Sequence, residues 1–135
     1  MNCPMCIKWK EEPKMRIAEL KYCYLMLNQD QFFPGYSLLF TKEHITETFY
    51  LKRAARGGVV EELNRVAEVL FKIFEPAKIN YELLGNMVPH MHWHIVPRFT
   101  TDSCWPNSIW SKPHKEVMLS SEEYKERIEL IREGL

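Results

Sequence analysis

Long apolar runs are missing from this chain, and so is an excess of charge of either sign. No hydrophobic stretch approaches the roughly 18 residues that a membrane-spanning helix requires, and no apolar signal core follows the first charges of MNCPMCIKWK. These two absences predict a cytoplasmic protein without a membrane partner. The 18 basic and 18 acidic residues cancel, so the chain lacks the broad basic field that polymeric nucleic acid requires, which favours a small ligand.

The chain has four cysteines among 135 residues. In a cytosolic chain, four cysteines predict thiols, metal ligands or redox groups in preference to a disulfide framework. The length suits one domain, and we expect residues 1–135 to form a single unit around one core. The sequence contains neither an internal repeat nor a low-complexity segment.

The hydrophobic patterning predicts strands in pairs around one long helix. Four short apolar and aromatic runs bounded by turn residues are typical of strands: 22–27, 36–40, 79–84 and 91–96. Between Gly58 and Pro76 apolar residues recur every three or four positions, which predicts a helix. An earlier start within residues 49–56 stays open, because Gly57 and Gly58 weaken a continuous helix. Ser120 and Glu123 form a capping-box pair before a second amphipathic helix, whereas residues 100–113 look irregular. These elements predict an α+β fold with an antiparallel sheet.

The segment PHMHWHIVPR concentrates three of the five histidines within five positions. Because strand side chains alternate, a strand here sends His90, His92 and His94 to one face and the apolar residues between them to the other. A solvated polar face is one interpretation. A catalytic metal bound by the histidines is a second, although three ligands along one strand would spread over about 13 Å. The third is a neutral imidazole that attacks phosphorus.

The histidine pattern resembles the signature of the histidine triad (HIT) family of nucleotide hydrolases and transferases. The segments NYELLGNMVPHMHWHIVPRF, LNQDQFFPGYSLLFTKEH and SIW extend the resemblance to the bacterial branch similar to diadenosine polyphosphate hydrolases. The resemblance implies a HIT-like fold with an antiparallel sheet of about five strands, one long helix and a C-terminal helix, in a homodimer.

The same resemblance implies a reaction at the α-phosphorus of a dinucleoside polyphosphate, such as diadenosine tetraphosphate, or of a nucleoside phosphoramidate. His92 would be the nucleophile, forming a covalent nucleotidyl-histidine that water then cleaves, and His94 would be a proton donor towards the leaving group. The alternatives are a nucleotide-binding module without turnover and a metal-dependent hydrolase that uses the triad as ligands.

Three asparagines are candidates for substrate binding. By resemblance Asn28 contacts the ribose and Asn86 a phosphate, and Asn80 is a weaker candidate of the same kind. Loop capping or turn formation is the alternative for each of them. Tyr36 stands where the family often has histidine, and a phenol carries no positive charge at neutral pH, so the phosphate contacts of this chain are expected to differ.

Cys3 and Cys6 have the two-residue spacing that zinc sites share with redox pairs. Resemblance to zinc-bearing HIT proteins adds His44, from TKEHI, and His90 as the third and fourth ligands. A closed set of two thiolates and two imidazoles predicts a structural Zn²⁺ that helps to orient His92. The alternative is a pair of free thiols at a frayed terminus.

Two features of the last third of the chain have only a general interpretation. Trp105 and Trp110 either cover the core or a subunit interface or touch a base. His114 is isolated in the sequence, and we expect it to be solvated.

Overall fold

A computed structural model describes residues 3–135, which form five strands, three α-helices and two single-turn 3-10 helices. The 3-10 helices span Pro13–Met15 and Thr48–Tyr50. In chain order the other elements are α1 (Pro4–Glu11), β1 (Arg16–Glu19), β2 (Cys23–Leu27), β3 (Ser37–Thr41), α2 (Arg53–Phe74), β4 (Lys78–Glu82), β5 (His92–Arg98) and α3 (Ser121–Gly134). Within residues 3–135, none of the helices combines the length and the apolar character needed to span a membrane.

All five strands belong to one antiparallel sheet in the order β1-β2-β3-β5-β4. The predicted α+β class and the count of about five strands are therefore confirmed. Strand β5 lies between β3 and β4, and its pairing with β3 sets His92 opposite Phe40 and His94 opposite Leu38. The histidine strand is thus an interior strand whose position is fixed from both sides.

The two faces of the sheet are packed differently. The main core lies between one face and helices α2 and α3, and its strand residues include Leu39, Trp93 and Ile95. Because side chains alternate along β5, His92 and His94 lie on the opposite face. Two smaller clusters flank that face, one around Phe40 with the N-terminal segment and one around Leu38 with the C-terminal segment. Short N-terminal and C-terminal segments therefore flank the two histidines.

Helix α2 begins at Arg53, before the two glycines that left its start open. Gly58 lies where the helix crosses the ring of Tyr22, and a Cβ at this position would collide with that ring. The neighbouring Gly57 has open space around it. The glycine pair therefore records a close approach of helix and hairpin at Gly58 and does not mark a helix boundary.

The C-terminal segment, residues 99–120, contains neither helix nor strand, in agreement with the irregular stretch expected there. The capping box predicted at the end of this segment is confirmed. The side chain of Ser120 accepts from the Glu123 N–H, and the Glu123 carboxylate accepts from the Ser120 N–H. Strand β5 runs through Pro97 to Arg98, two residues further than expected. Pro97 is tolerated because the pairing with β3 ends at Ile95, which leaves this part of the strand only one neighbour.

Candidate active site and metal centre

His92 and His94 stand side by side on the face of β5 that points away from α2. Their ring centroids are 5.0 Å apart, and the rings are tilted by 69°. His92 is nearly buried, with 7% of its surface exposed, whereas His94 is half-buried. The predicted alternation is therefore confirmed, and it creates a pair of adjacent imidazoles on one surface.

The tautomer of His92 follows from one hydrogen bond. Its Nδ1 lies 2.6 Å from the main-chain carbonyl oxygen of His90. A carbonyl oxygen only accepts, so Nδ1 carries a proton, and in the neutral ring the lone pair is on Nε2. An imidazole in this state is a nucleophile whose attacking atom is Nε2.

His94 has a different set of neighbours. The phenol oxygen of Tyr36 lies 2.6 Å from its Nδ1, and the ring of Trp110 meets it edge-on at 5.0 Å between centroids. Burial, with a smaller contribution from His92, lowers the pKa of His94 to about 4. The ring is therefore neutral at physiological pH.

A cleft of about 450 Å³ lies next to two neighbours of His94, although neither His92 nor His94 lines it. These neighbours are Tyr36 and Trp110, which contact His94 and form part of the cleft wall. Asn28 and Lys8 are on its wall together with His114. A larger groove of about 560 Å³ follows α2 near Tyr22, on the side of the sheet away from the histidines. Of the two, the smaller cleft is the one on the histidine side of the sheet.

The four predicted metal ligands lie close together at the start of β5. The ligand atoms of Cys3, Cys6, His44 and His90 all lie within 4.8 Å of one another, so they can hold a metal ion. Nδ1 of His90 is 3.6 Å from the Cys3 sulfur and 3.5 Å from the Cys6 sulfur, and Nδ1 of His44 is 3.2 Å from the Cys6 sulfur. Two sulfurs and two imidazole nitrogens are the donor set of a closed, four-coordinate site.

The hydrogen bonds of His90 also fit a metal ligand. Its Nε2 lies 2.7 Å from the carbonyl oxygen of Thr41, so the ring proton is on Nε2 and the lone pair of Nδ1 faces the two cysteines. Burial lowers the pKa of His90, which favours the neutral, ligating form. Partial desolvation and the hydrogen bond with Cys3 raise the pKa of the Cys6 thiol, and a bound cation would reverse this by stabilising thiolates.

The three candidate asparagines occupy different surroundings. Asn28 follows β2, lines the cleft and donates to the main-chain oxygen of Asp30 at 3.0 Å. Asn86 is exposed in the loop between β4 and β5. Asn80, on β4, accepts a hydrogen bond from Arg98 at 2.8 Å. Only Asn28 therefore lines the cleft, and substrate contact by each of the three remains a prediction.

The expectation for His114 is wrong. Its Nε2 lies 2.7 Å from a carboxylate oxygen of Asp30, and its ring stacks on Phe32 at 4.0 Å between centroids. The C-terminal segment thereby closes over the loop between β2 and β3. A single histidine in a polar stretch carries no sequence signal for such a contact, because the partner lies 84 residues away.

Comparison with known proteins agrees with the geometry of this site. A family model described as the HIT domain matches residues 9–101. The chain belongs to the HIT family. The match includes the predicted triad and His44, whereas Cys3 and Cys6 precede it.

Other HIT proteins are similar to this chain over most of its length. A histidine triad protein from Sinorhizobium meliloti has 30% identity and a TM-score of 0.83, with 90% of this chain and 89% of that chain covered. The protein hit of Bacillus subtilis is 26% identical over 104 residues, which cover 73% of this chain and 72% of that protein.

Diadenosine triphosphate hydrolase from Plasmodium falciparum has the same fold, with a TM-score of 0.69 and 20% identity, over 90% of this chain and 76% of that one. At this level of identity, the similarity shows a shared fold.

Proposed function

We propose that this HIT protein is a nucleotide hydrolase or transferase whose nucleophile is His92. The hydrogen bond from Nδ1 of His92 to the carbonyl oxygen of His90 carries the proposal, because it selects the neutral tautomer in which Nε2 has the lone pair. The substrate would be a dinucleoside polyphosphate or a nucleoside phosphoramidate. Similarity in fold to a diadenosine triphosphate hydrolase supports this substrate class.

The reaction would proceed in two steps through a covalent intermediate. Nε2 of His92 bonds to the α-phosphorus while the bond from phosphorus to the leaving group breaks. Water then attacks the same phosphorus, and the electron pair of the phosphorus–nitrogen bond returns to Nε2. Hydrogen-bond donors near the non-bridging oxygens would offset the charge that develops there, a role we propose for His94 and Asn86. The cleft with Asn28 would hold the ribose.

Replacement of His92 tests the proposal directly. We expect His92→Ala to reduce hydrolysis of diadenosine tetraphosphate by at least about 10³-fold, as expected for loss of a nucleophile, while the fold is retained. Rapid acid quench of the wild-type protein with radiolabelled substrate should trap a nucleotidyl adduct that maps to His92. Tight nucleotide binding without adduct or turnover would instead identify a binding module.

Zinc is the metal we propose for the Cys3, Cys6, His44 and His90 group. Two thiolates and two imidazoles suit Zn²⁺, and a site filled by four protein ligands leaves no position for a reactive water. A bound ion would supply cross-linking between α1, the loop after β3 and the start of β5. Among the described residues, this group includes His90 but neither His92 nor His94, which favours a structural metal over a metal-dependent hydrolase.

We also propose that the chain works as a homodimer in the cytoplasm. Strand β4 is an edge of the sheet, and its Tyr81 and the neighbouring Phe71 of α2 are 47% and 50% exposed. An open edge flanked by exposed aromatic rings is typical of a surface that pairs with a second copy. The free thiols of Cys3, Cys6, Cys23 and Cys104 fit a reducing compartment. Residues 1–135 would act as one HIT domain, of which residues 1 and 2 lie outside the described part.

A further inference from the structure

The hydrogen bond between Tyr36 and His94 has a direction that the surroundings determine. Tyr36 is buried, and among residues 3–135 its phenol oxygen has one hydrogen-bond partner, Nδ1 of His94. If Nδ1 held the ring proton and donated it, the phenol O–H would lack an acceptor from these residues, at the cost of burying an unpaired donor. The phenol therefore donates, Nδ1 accepts, and the ring proton of His94 is on Nε2.

His92 and His94 consequently hold their protons on opposite nitrogens. In its neutral form, His92 has its proton on Nδ1 and a lone pair on Nε2, because it donates to a carbonyl oxygen. His94 has its proton on Nε2, which has no hydrogen-bond partner among residues 3–135 and is available to a ligand. Two neighbouring rings on one strand thus provide one attacking nitrogen and one N–H donor.

His94 can donate a hydrogen bond but cannot readily give up its proton. Burial lowers its pKa to about 4, so the ring has a single proton at neutral pH. Burial, together with Glu82 and Asp30, raises the pKa of Tyr36, which therefore keeps its own proton. If His94 released the Nε2 proton while Nδ1 still accepted from Tyr36, the ring would become an imidazolate anion. Proton donation to a leaving group, as the HIT resemblance suggested, is therefore disfavoured.

We propose that Tyr36 is a positioning residue that holds His94 as a neutral hydrogen-bond donor and thereby restricts the chain to phosphoric anhydrides of nucleotides, with phosphoramidates as poor substrates. This inference rests on the proposed function of His92. The chemistry of the two leaving groups separates the two substrate classes. A nucleoside phosphate departs as a stable anion, because phosphate monoesters have a second pKa of about 6. An amine, with a pKa of about 10, must be protonated on nitrogen before it can depart.

The bonds and charges balance without a proton from His94. Nε2 of His92 bonds to the α-phosphorus, and the phosphorus–oxygen bond of the anhydride breaks with its electron pair on the departing phosphate oxygen. The Nε2–H of His94 donates a hydrogen bond to an oxygen of the phosphate chain and keeps its proton. Water then forms the new phosphorus–oxygen bond, the phosphorus–nitrogen bond breaks towards His92, and one proton passes to solvent.

Steady-state kinetics on two substrates test the proposal. For the wild-type protein, we expect kcat/KM for diadenosine tetraphosphate to exceed that for adenosine phosphoramidate by about 100-fold or more. Tyr36→Phe should lower kcat by about tenfold with little change in KM, the loss expected for one positioning hydrogen bond. Tyr36→His should reduce the ratio of the two kcat/KM values by about tenfold, because an imidazole can carry a second proton near neutral pH. Tyr22→Phe, on the other side of the sheet, is the matched control and should match the wild type.

Ring ¹⁵N and ¹³C chemical shifts of His94, assigned from the spectrum of His94→Gln, test the tautomer without any substrate. We expect an Nε2–H ring in the wild type and a mixed population in Tyr36→Phe. An Nδ1–H ring, or equal kcat/KM for both substrates by a protein that still forms the His92 adduct, would overturn this inference and leave the proposed function of His92 intact. Absence of turnover and adduct with both substrates would overturn the proposed function, and the substrate preference with it.

Discussion

The guanidinium of Arg98 and the carboxylate of Asp102 form a paired contact, with Nε 2.7 Å from Oδ2 and Nη2 3.0 Å from Oδ1. Arg98 is 1% exposed, and it also donates to the side chain of Asn80 on β4 and to the main-chain oxygen of Asn107. Although partial burial opposes it, the hydrogen bond and charge of Arg98 lower the pKa of Asp102. This contact fastens the C-terminal segment, which carries Trp110, to the end of the histidine strand.

Loss of Arg98 should therefore be strongly destabilising. We expect Arg98→Met to lower the free energy of unfolding by about 3–5 kcal/mol, because the carboxylate of Asp102 is left without its buried counter-charge. Urea titration monitored by circular dichroism measures the change. Lys72→Met, which removes an exposed partner of Glu68, is the control and should have little effect. Equal midpoints for the two variants would contradict this account of the C-terminal segment.

The metal group predicts about one zinc ion per chain in purified protein, measured by atomic emission. Cys3→Ser and Cys6→Ser should each lose the metal and melt at a lower temperature, because α1 would no longer be tied to the start of β5. Cys104→Ser, a buried cysteine outside the group, should retain full zinc content. Protein that is free of metal and melts at the wild-type temperature would rule out a structural ion.

The two glycines of α2 should respond in opposite directions to alanine. Gly57→Ala places its methyl group in open space and should stabilise the protein by about 0.5–1 kcal/mol through higher helix propensity. Gly58→Ala forces the ring of Tyr22 to move and should destabilise by about 1–3 kcal/mol. Thermal unfolding of both variants gives the comparison. Stabilisation by both substitutions would mean that the helix does not approach Tyr22 closely.

Acidification should destabilise the wild type through His94. Its pKa falls from 6.5 to about 4 on folding, so the unfolded chain binds a proton that the folded chain excludes. This difference has no effect on the free energy of unfolding above pH 6.5. As the pH falls towards 4, it lowers the free energy of unfolding by about 2 kcal/mol after allowance for partial exposure. Because acid also weakens metal binding in any variant, the measurement is the difference from His94→Gln. Parallel stability curves for the two proteins would contradict the expected proton exclusion.

Self-association should depend on the exposed edge at β4. We expect sedimentation velocity to give twice the mass of one chain for the wild type and a monomer for Tyr81→Glu or Phe71→Glu, since charge on an apolar interface is costly. Phe49→Glu, a 62% exposed aromatic outside this edge, should remain dimeric. A wild-type monomer at micromolar concentration would remove the dimer from the proposal.

Local patterns in the sequence were sufficient for much of the fold. The four predicted strands, the long helix and the capping box of α3 were predictable because alternation, helical periodicity and a cap each involve neighbouring residues. Helix α1 and strand β1 were missed for the opposite reason. Each is short and has a single buried residue, Met5 in α1 and Ile17 in β1. Helix α1 depends on packing against β2 and β3, and β1 depends on contacts with α3 and on pairing with β2.

The residues of the site also differ in whether a local pattern or a distant contact places them. Alternation on one strand placed His92 and His94 together, and family resemblance supplied His44 as a partner for Cys6. The contact between Tyr36 and His94 spans 58 residues and depends on the register of β3 against β5. A one-residue slip would turn the histidines to the opposite face, and the sequence gives no direct measure of that register. For the same reason, the sequence does not show which nitrogen of each imidazole holds the proton.

Residue 90 contributes to this molecule twice, once through its ring and once through its main chain. The ring belongs to the metal group, whereas the carbonyl oxygen holds the proton of His92. Every amino acid has that carbonyl, so the path of the backbone, and not the identity of the side chain, sets which nitrogen of the attacking ring holds the proton. Replacement of the His90 side chain would therefore remove a metal ligand and leave in place the acceptor that orients the His92 ring.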